Sequence, residues 1–368
     1  MKLLILSAKT GGGHEMRAKA LEEISDAMGF ESLILRPLED GPWIYRFGSN
    51  LYNWIQRFYP RTHRIYFEFL ESASLHNRES NILGRKKILR VVRGFSPHII
   101  ISVHAHLNHG FKDLIFSNLS KLPKFFIFCG ELADGVGFSK HWINPSADRF
   151  FGPFKETVDA AISRGMPEGK CAVLGPLLRR PFYLSPSVSS ISKFLLKYGI
   201  SDQQEMGVLA TGANGVNNHV NAIASLSQSE FKGQIIALCG SNQSLISKIQ
   251  KLPVTTNFKI IPLAHLNGNE MSILLYLSSW IYGRAGAGLS SEAIATNTPM
   301  IFDTSKGMMP QEENNLNFWR KNCQNLLISN SPNQLKYLYR EIMPPFKEKY
   351  TACSKKIIDE IFNFKFHS

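Results

Sequence analysis

The sequence predicts an α/β protein made of two Rossmann-like domains, each built on a parallel sheet. The chain opens with a continuous apolar run, Leu3–Leu6, followed by glycines and then by apolar residues at helical spacing. This strand, glycine loop and helix form the start of a βαβ unit. The same order begins again at Val208–Ala210, after a stretch rich in Ser and Pro over residues 184–190. With 368 residues, the chain also exceeds the usual size of one domain.

Further strand-like runs follow each of these two starts. We expect a first domain over residues 1–183 and a second over residues 191–344, with the Ser- and Pro-rich stretch as the linker. The segment from about residue 342 has a helical and basic pattern. The predicted strands after the first are Ser32–Leu35, Ile99–Val103, Phe125–Phe128, Cys171–Leu174, Val208–Ala210, Ile235–Leu238, Lys259–Ile261, Trp280–Tyr282 and Met300–Phe302.

Charge and cysteine content indicate the kind of partner and compartment. Lys and Arg exceed Asp and Glu by 42 to 29, which gives a formal net charge of +13. Such an excess attracts nucleic acid, anionic lipid headgroups or phosphorylated substrates. The five cysteines lack the spacing of a zinc site or a disulfide framework, which favours an intracellular protein. No apolar stretch reaches the ~18–20 residues of a membrane-spanning helix, so membrane contact is expected to be peripheral.

The first candidate site is the loop that ends in Gly12, Gly13 and His14. Glycines at a strand-to-helix junction let a ligand approach the backbone, and the helix N-terminus favours anions. A histidine here can act as a general base toward a hydroxyl, because its pKa lies near working pH. The simpler interpretation is a tight turn with an incidental histidine. The loop matches neither a Walker A motif nor the dinucleotide fingerprint.

Two further segments could bind a nucleotide-sugar. Small residues lead into a predicted helix after Trp280–Tyr282, where a diphosphate could meet the helix N-terminus and Glu292 could accept hydrogen bonds from ribose hydroxyls. Gln311, Glu312 and Asn315 form an amide and carboxylate cluster suited to sugar hydroxyls, with Gln311 and Asn315 on one helix face. The alternatives are an ordinary capped helix and a solvated helix start. The first segment contains Arg284, Gly286, Gly288, Leu289, Ser290, Ser291 and Glu292.

An aromatic and basic region covers residues 43–93. Aromatic residues at headgroup level and cations that meet anionic lipid would make it a membrane-facing patch. Some of these aromatics must instead be core, and stacking on single-stranded nucleic acid is a third option, for which no recognition motif is present. His104, His106 and His109 suggest a metal site, but no carboxylate or thiolate accompanies them, so a site-lining or packing role is favoured.

Taken in order, these segments resemble the family of monogalactosyldiacylglycerol synthases and processive diacylglycerol glucosyltransferases, which is related to the lipid-II-forming N-acetylglucosaminyltransferase. The resemblance covers most of the chain. It is carried by Ser7–His14, Tyr52-Asn53, Ser102-Val103-His104, Gly175-Pro176, Arg180-Pro181-Phe182, Thr211–Gly215, Cys239–Asn242, Ala285–Ala293 and Gln311–Asn315. The chain differs from the family pattern at Thr211–Gly215, Gly130-Glu131, Arg284 and Asn314.

The resemblance implies a GT-B fold, with two Rossmann-like domains facing across a cleft and the C-terminal helix, residues 345–368, packing back on the first domain. It implies that His14 deprotonates the acceptor hydroxyl and that Glu292 holds the donor ribose. The donor would also contact Gly12, Gly13, Gly212, Gly215, Arg284, Gly286, Gly288, Leu289, Ser290, Ser291, Gln311, Glu312 and Asn315. The acceptor and the membrane would meet Trp43, Tyr52, Asn53, Trp54, Arg57 and His104.

The sequence therefore predicts an inverting glycosyltransferase that moves galactose or glucose from a UDP-sugar to a lipid, with diacylglycerol favoured. The alternatives are transfer of N-acetylglucosamine to a polyprenyl-linked or other glycolipid, and a non-catalytic nucleotide-sugar or lipid-binding protein. Because the chain lacks the Asp-x-Asp motif of GT-A enzymes, we expect no metal and no cofactor. We expect an anionic membrane surface as a partner, no nucleic acid, and a location on the cytoplasmic face of a membrane.

Overall fold

The computed structural model describes residues 1–10, 12–58, 62–73, 75–210, 218–252, 258–345 and 354–362. Within the helices, the side chains of residues 53, 56–58, 63, 354, 355 and 362 lie outside this description. The described residues form an α/β fold with two parallel six-stranded sheets and flanking helices, which confirms the predicted fold class.

The first sheet has the strand order β2-β1-β3-β4-β5-β6, and all its neighbouring strands run parallel. The strands are β1 (Lys2–Leu6), β2 (Glu31–Leu35), β3 (Ile99–Ser102), β4 (Lys124–Phe128), β5 (Arg149–Gly152) and β6 (Cys171–Val173). The helices are α1 (Gly13–Ala27), α2 (Trp43–Phe58), α3 (His63–Ala73), α4 (Arg85–Phe95), α5 (Gly110–Phe116) and α6 (Lys155–Ser163). The order reverses between β1 and β3, and open parallel sheets bind ligands beyond the carboxyl ends of strands at such a switch point.

The second sheet has the order β12-β11-β10-β7-β8-β9 and is also parallel. Its switch point lies between β7 and β10. The strands are β7 (Glu205–Leu209), β8 (Gly233–Leu238), β9 (Lys259–Leu263), β10 (Trp280–Gly283), β11 (Met300–Asp303) and β12 (Leu327–Ser329). The remaining helices are α7 (Val188–Tyr198), α8 (His219–Ser227), α9 (Gln243–Gln250), α10 (Gly268–Leu277), α11 (Ala287–Thr296), α12 (Pro310–Asn322), α13 (Leu335–Leu338) and α14 (Ser354–Phe362).

Long apolar runs form the centre of each sheet. Leu3–Leu6 of β1 and Phe125–Phe128 of β4 are completely buried, because helices cover both faces of the parallel sheet. In the second sheet, Ile235 of β8 and Trp280 of β10 are buried in the same way. Each sheet thus has a hydrophobic core of its own.

The chain divides into two compact units. The first unit comprises residues 1–180, 309–318 and 352–368, and the second comprises residues 181–308 and 319–351. The start of α12 therefore groups with the first sheet. The Ser-rich stretch predicted as a linker is partly helical, because the Ser187 side chain accepts a hydrogen bond from the Ser190 N–H and caps α7.

Candidate functional site

The first site lies at the switch point of the first sheet. Gly12 caps the N-terminus of α1 with φ of 75°, a left-handed conformation that glycine adopts without steric cost. The helix consequently begins at Gly13 and places His14 in its first turn, beyond the carboxyl end of β1. Val103 and His104 follow β3, the neighbouring strand, at the same edge of the sheet.

Hydrogen bonding defines the tautomer of His14. Its Nδ1 lies 2.6 Å from the carbonyl oxygen of Val103, so Nδ1 must carry the proton and donate it. The Arg17 guanidinium nitrogen at 3.2 Å from the same Nδ1 is then a charged neighbour, since Nδ1 has no lone pair left to accept its hydrogen. This arrangement leaves Nε2 of His14 unprotonated.

The electrostatic environment keeps His14 neutral. Burial, followed by the charge of Arg17, lowers the pKa of His14 to about 3, although the Val103 carbonyl opposes the shift. At neutral pH the imidazole can accept a proton, but a buried imidazolium beside Arg17 would need a compensating anion.

His104 lies next to His14, with ring centroids 4.4 Å apart, and its Nε2 is 3.0 Å from Oγ1 of Thr10. Burial lowers the pKa of His104 well below its usual range. Among the described residues, no three His, Cys, Asp or Glu side chains are grouped so that they could hold a metal ion.

His14 and His104 line a cavity of about 410 Å³ in the first unit. This volume lies within the usual range of small-molecule pockets. Apolar side chains from α2, α3 and the loops on either side of this helix pair make up most of the wall, including Leu38, Ile44, Tyr45, Tyr52, Tyr66, Phe67, Leu70, Leu75 and Leu83. Ile44, Leu75 and Leu83 are each about half exposed, so the cavity opens to the surface beside them.

Glu131 is a site residue that the sequence analysis noted only as a departure from the family pattern. It lines the cavity, and its Oε2 is buried and accepts no hydrogen bond from a described residue. Burial raises the pKa of Glu131 to about 7, while Arg17 and a hydrogen bond from Trp142 act in the opposite direction. A carboxyl group that titrates near working pH is suited to proton transfer.

The start of α12 contributes to the same unit. Gln311 lines the cavity, and its Oε1 is buried without a partner among the described residues. Glu312 accepts the N–H of Met309 at 2.9 Å and so caps the helix, and it is buried rather than solvated. Asn315 is buried as well. The neighbouring Asn314 accepts the Gly137 N–H at 3.1 Å.

The second group of predicted residues lies at the switch point of the second sheet. Gly286 is the N-cap of α11, and a Cβ placed on it would meet nothing within 4 Å, so the backbone there is open to a ligand. The free N–H groups of the first turn, which contains Gly288 and Leu289, suit an anion. Gly212 and Gly215, predicted beside them, lie outside the described residues.

Polar side chains surround this helix start. Arg284 is buried and donates to the carbonyl oxygen of Gly307 at 2.9 Å. Ser290, Ser291 and Glu292 are also buried, and Glu292 lies in the second turn of α11. The structure thus groups the predicted donor residues Arg284 to Glu292 in the second unit, and His14, His104, Tyr52 and Gln311 on the cavity of the first.

The surface of α2 is strongly apolar. Trp43, Phe47 and Trp54 are 69%, 59% and 51% exposed, and they recur at helical spacing. The side chains of Asn53 and Arg57 lie outside the described part of this helix. Basic residues at the start of α4 lie nearby, since Lys87 Nζ donates to the Asp40 carbonyl oxygen at 2.5 Å. Among the described residues, every helix is too short or too polar to span a bilayer.

Two units that each carry a parallel sheet define the GT-B class of fold, and similarity to solved structures confirms it. MurG of Acinetobacter baumannii matches with a TM-score of 0.59 at 14% identity, over 99% of both chains. Anabaena Alr3699/HepE in complex with UDP-glucose matches with a TM-score of 0.53 at 12% identity, over 98% of this chain and 95% of that one. No family model matches the chain.

Curated relatives are enzymes of lipid glycosylation. A processive diacylglycerol beta-glucosyltransferase of Bacillus cytotoxicus is 25% identical over 313 residues, which are 82% of this chain and 75% of that protein. The resemblance that the motifs indicate is therefore confirmed. The chain has the GT-B fold and is a relative of the processive diacylglycerol glucosyltransferases.

Proposed function

We propose that this chain transfers a hexose, glucose or galactose, from a UDP-sugar to the hydroxyl of a lipid, with diacylglycerol as the acceptor. The observation that carries the proposal is the cavity of the first unit. Its wall is mostly apolar, includes the half-exposed Ile44 of α2, and also carries His14, Glu131 and Gln311. The name of the curated relatives supports glucose as the sugar and diacylglycerol as the acceptor.

The acceptor enters from the membrane surface in this proposal. Trp43, Phe47 and Trp54 insert at headgroup level, while basic residues such as Arg85 and Lys86 meet anionic lipid. The acyl chains of the lipid acceptor pack against the apolar wall near Ile44 and Leu83, and its free hydroxyl points into the cavity. The protein then works as a peripheral enzyme on the cytoplasmic face of a membrane.

The proton of the acceptor hydroxyl passes to Nε2 of His14. The oxygen attacks the anomeric carbon as the bond from that carbon to the diphosphate oxygen breaks, and UDP leaves with the bonding electrons. This single displacement inverts the anomeric centre. Since His14 starts neutral and becomes a buried cation, the negative charge of Glu131 on the same cavity stabilises the product of proton transfer.

The donor is held by three sets of residues. The start of α11, from its N-cap Gly286 to Ser291, and Arg284 stabilise the diphosphate, and Glu292 accepts hydrogen bonds from the ribose. Gln311, Glu312 and Asn315 contact the sugar, and Gly12 and Gly13 let the donor approach the backbone. Helix dipole and guanidinium balance the charge of the leaving group, so the proposal needs no metal.

Product identification tests this function. The protein is incubated with labelled UDP-glucose, UDP-galactose or UDP-N-acetylglucosamine and with vesicles that contain diacylglycerol or total membrane lipid. The proposal expects a β-linked hexosyl diacylglycerol, with the anomeric configuration read by NMR. Labelled N-acetylglucosamine on a polyprenyl-linked lipid would show the alternative transferase. Binding of UDP-sugars without transfer to any lipid would show a non-catalytic binding protein.

A further inference from the structure

Arg17 is a buried cation one turn after His14 on α1. Its guanidinium lies 3.2 Å from Nδ1 of His14, which donates its own proton to Val103 and so cannot accept from Arg17. The Nε–H group of Arg17 is also buried and has no acceptor among the described residues. A buried charge with so few hydrogen bonds is costly unless an anion lies near it.

Gly130 provides the space that Arg17 occupies. A Cβ placed on Gly130 would overlap the guanidinium carbon and both terminal nitrogens of Arg17. The guanidinium therefore lies directly over the Cα of Gly130, immediately before Glu131 in the chain. Gly130 does not have the positive φ that would itself require glycine, so the close approach of Arg17 is the constraint on this position.

Glu131, the next residue after Gly130, is the carboxylate whose charge acts on Arg17. The charge of Arg17 favours the ionised carboxylate of Glu131, and the charge of Glu131 favours the guanidinium. Among the described residues, Cys129 and Tyr52 are the other titratable groups that interact with Glu131 electrostatically. Burial raises the pKa of both groups, so they stay neutral near pH 7.

The other titratable groups on the cavity are also neutral at that pH. Burial lowers the pKa of its histidines and raises the pKa of its tyrosines. Glu131 is the one carboxyl among the described residues that line the cavity. The histidines are His14, His76, His104 and His106, and the tyrosines are Tyr45, Tyr52 and Tyr66.

We propose that Arg17 is a positioning residue of the transfer site, whose guanidinium over Gly130 favours the charged form of the neighbouring Glu131 carboxylate at the cavity wall. The effect of Arg17 on turnover rests on the proposed function, the transfer of a hexose to a lipid. Loss of the Glu131 charge removes the anion that stabilises protonated His14. In a profile of transfer rate against pH, the fall on the acid side therefore follows the protonation of Glu131.

The experiment measures that titration in the full-length chain by NMR of ¹³C-labelled glutamate carboxyls, with Glu131→Gln to assign the resonance. The wild-type midpoint is expected near pH 7. Because an opposite charge nearby lowers a carboxyl pKa by about 1–3 units, Arg17→Met should move the midpoint up by about that amount. Transfer at pH 7 should fall roughly five-fold or more, and the pH of half-maximal transfer should rise by the same amount as the midpoint. Arg17→Lys keeps a positive charge at this position, so its Glu131 midpoint should lie between those of Arg17→Met and the wild type.

Gly130→Ala provides a test without change of any charged group. The added methyl displaces the guanidinium, so the midpoint should again rise, and the double variant Arg17→Met/Gly130→Ala should match Arg17→Met alone. Arg36→Met is the matched control, because Arg36 forms an ion pair with Glu15, which lies on α1 together with Arg17. This variant should leave the Glu131 midpoint unchanged.

A midpoint that does not move in Arg17→Met or in Gly130→Ala would overturn the inference, as would a loss of transfer that is uniform across pH. Failure of the proposed function has a different result. In that case the carboxyl resonance shifts as expected in the variants, but the wild-type protein glycosylates no lipid.

Discussion

Acidification is expected to lower the free energy of unfolding of the first unit. The contribution of one residue, His76, can be measured separately. Burial lowers the pKa of His76 from 6.5 to about 4. As the pH falls, the unfolded chain therefore protonates His76 before the folded chain does. The contribution of neutral His76 to the free energy of unfolding is present above pH 6.5 and is lost as pH falls toward 4. At pH 5 the loss from this residue alone is about 2 kcal/mol.

The variant His76→Phe removes this proton site and keeps an aromatic ring against Tyr45 and Phe111, whose centroids lie 5.0 and 5.6 Å from that of His76. Thermal unfolding of the wild type and the variant is measured at pH 7 and pH 5. The variant should lose about 2 kcal/mol less than the wild type, or roughly 4–8 °C in Tm for a unit of this size. An equal loss in His76→Phe and the wild type would refute the reasoning.

Two further predictions concern the donor and the membrane. Glu292→Gln should raise the KM for the UDP-sugar about ten-fold or more, because charge-assisted hydrogen bonds to the ribose weaken, while Glu341→Gln, exposed in the same unit, should not change it. Initial-rate kinetics measure both, and an unchanged KM in Glu292→Gln would remove Glu292 from the donor site. Trp43→Ala/Phe47→Ala should weaken binding to anionic vesicles ten-fold or more in a sedimentation assay, because each aromatic buries apolar surface in the bilayer. Leu122→Ala/Val136→Ala removes comparably exposed apolar residues of the same unit, and equal binding by both double variants would contradict a membrane role for α2.

Much of the fold could be predicted because its sheets are buried on both faces. Such strands appear in the sequence as continuous apolar runs, and the predicted runs at Leu3–Leu6 and Phe125–Phe128 lie within β1 and β4. Two strands of the described residues were missed, β5 and β12, which have only four and three residues. In sequence, β5 begins with Arg149 and ends with Gly152, and β12 is only three residues long, so neither forms a continuous apolar run of four residues.

The candidate site was less accessible to sequence reasoning, because its residues meet through tertiary structure. The motif containing His14 marks one wall of the cavity, but no spacing rule connects it with Glu131 or Gln311, 117 and 297 residues later. Arg17 belongs to no motif that we recognised. The close approach of Arg17 to Gly130 joins α1 to the loop after β4, and no local sequence pattern predicts such a tertiary contact.

The most direct test of the account is the transfer of labelled hexose from a UDP-sugar to diacylglycerol vesicles by the wild type and by His14→Ala, measured with UDP affinity on the same samples. The account predicts a loss of about 10²–10⁴-fold in kcat with unchanged UDP affinity, because His14 accepts the hydroxyl proton and its Nδ1 is bound to Val103. Transfer by His14→Ala at the wild-type rate would contradict it.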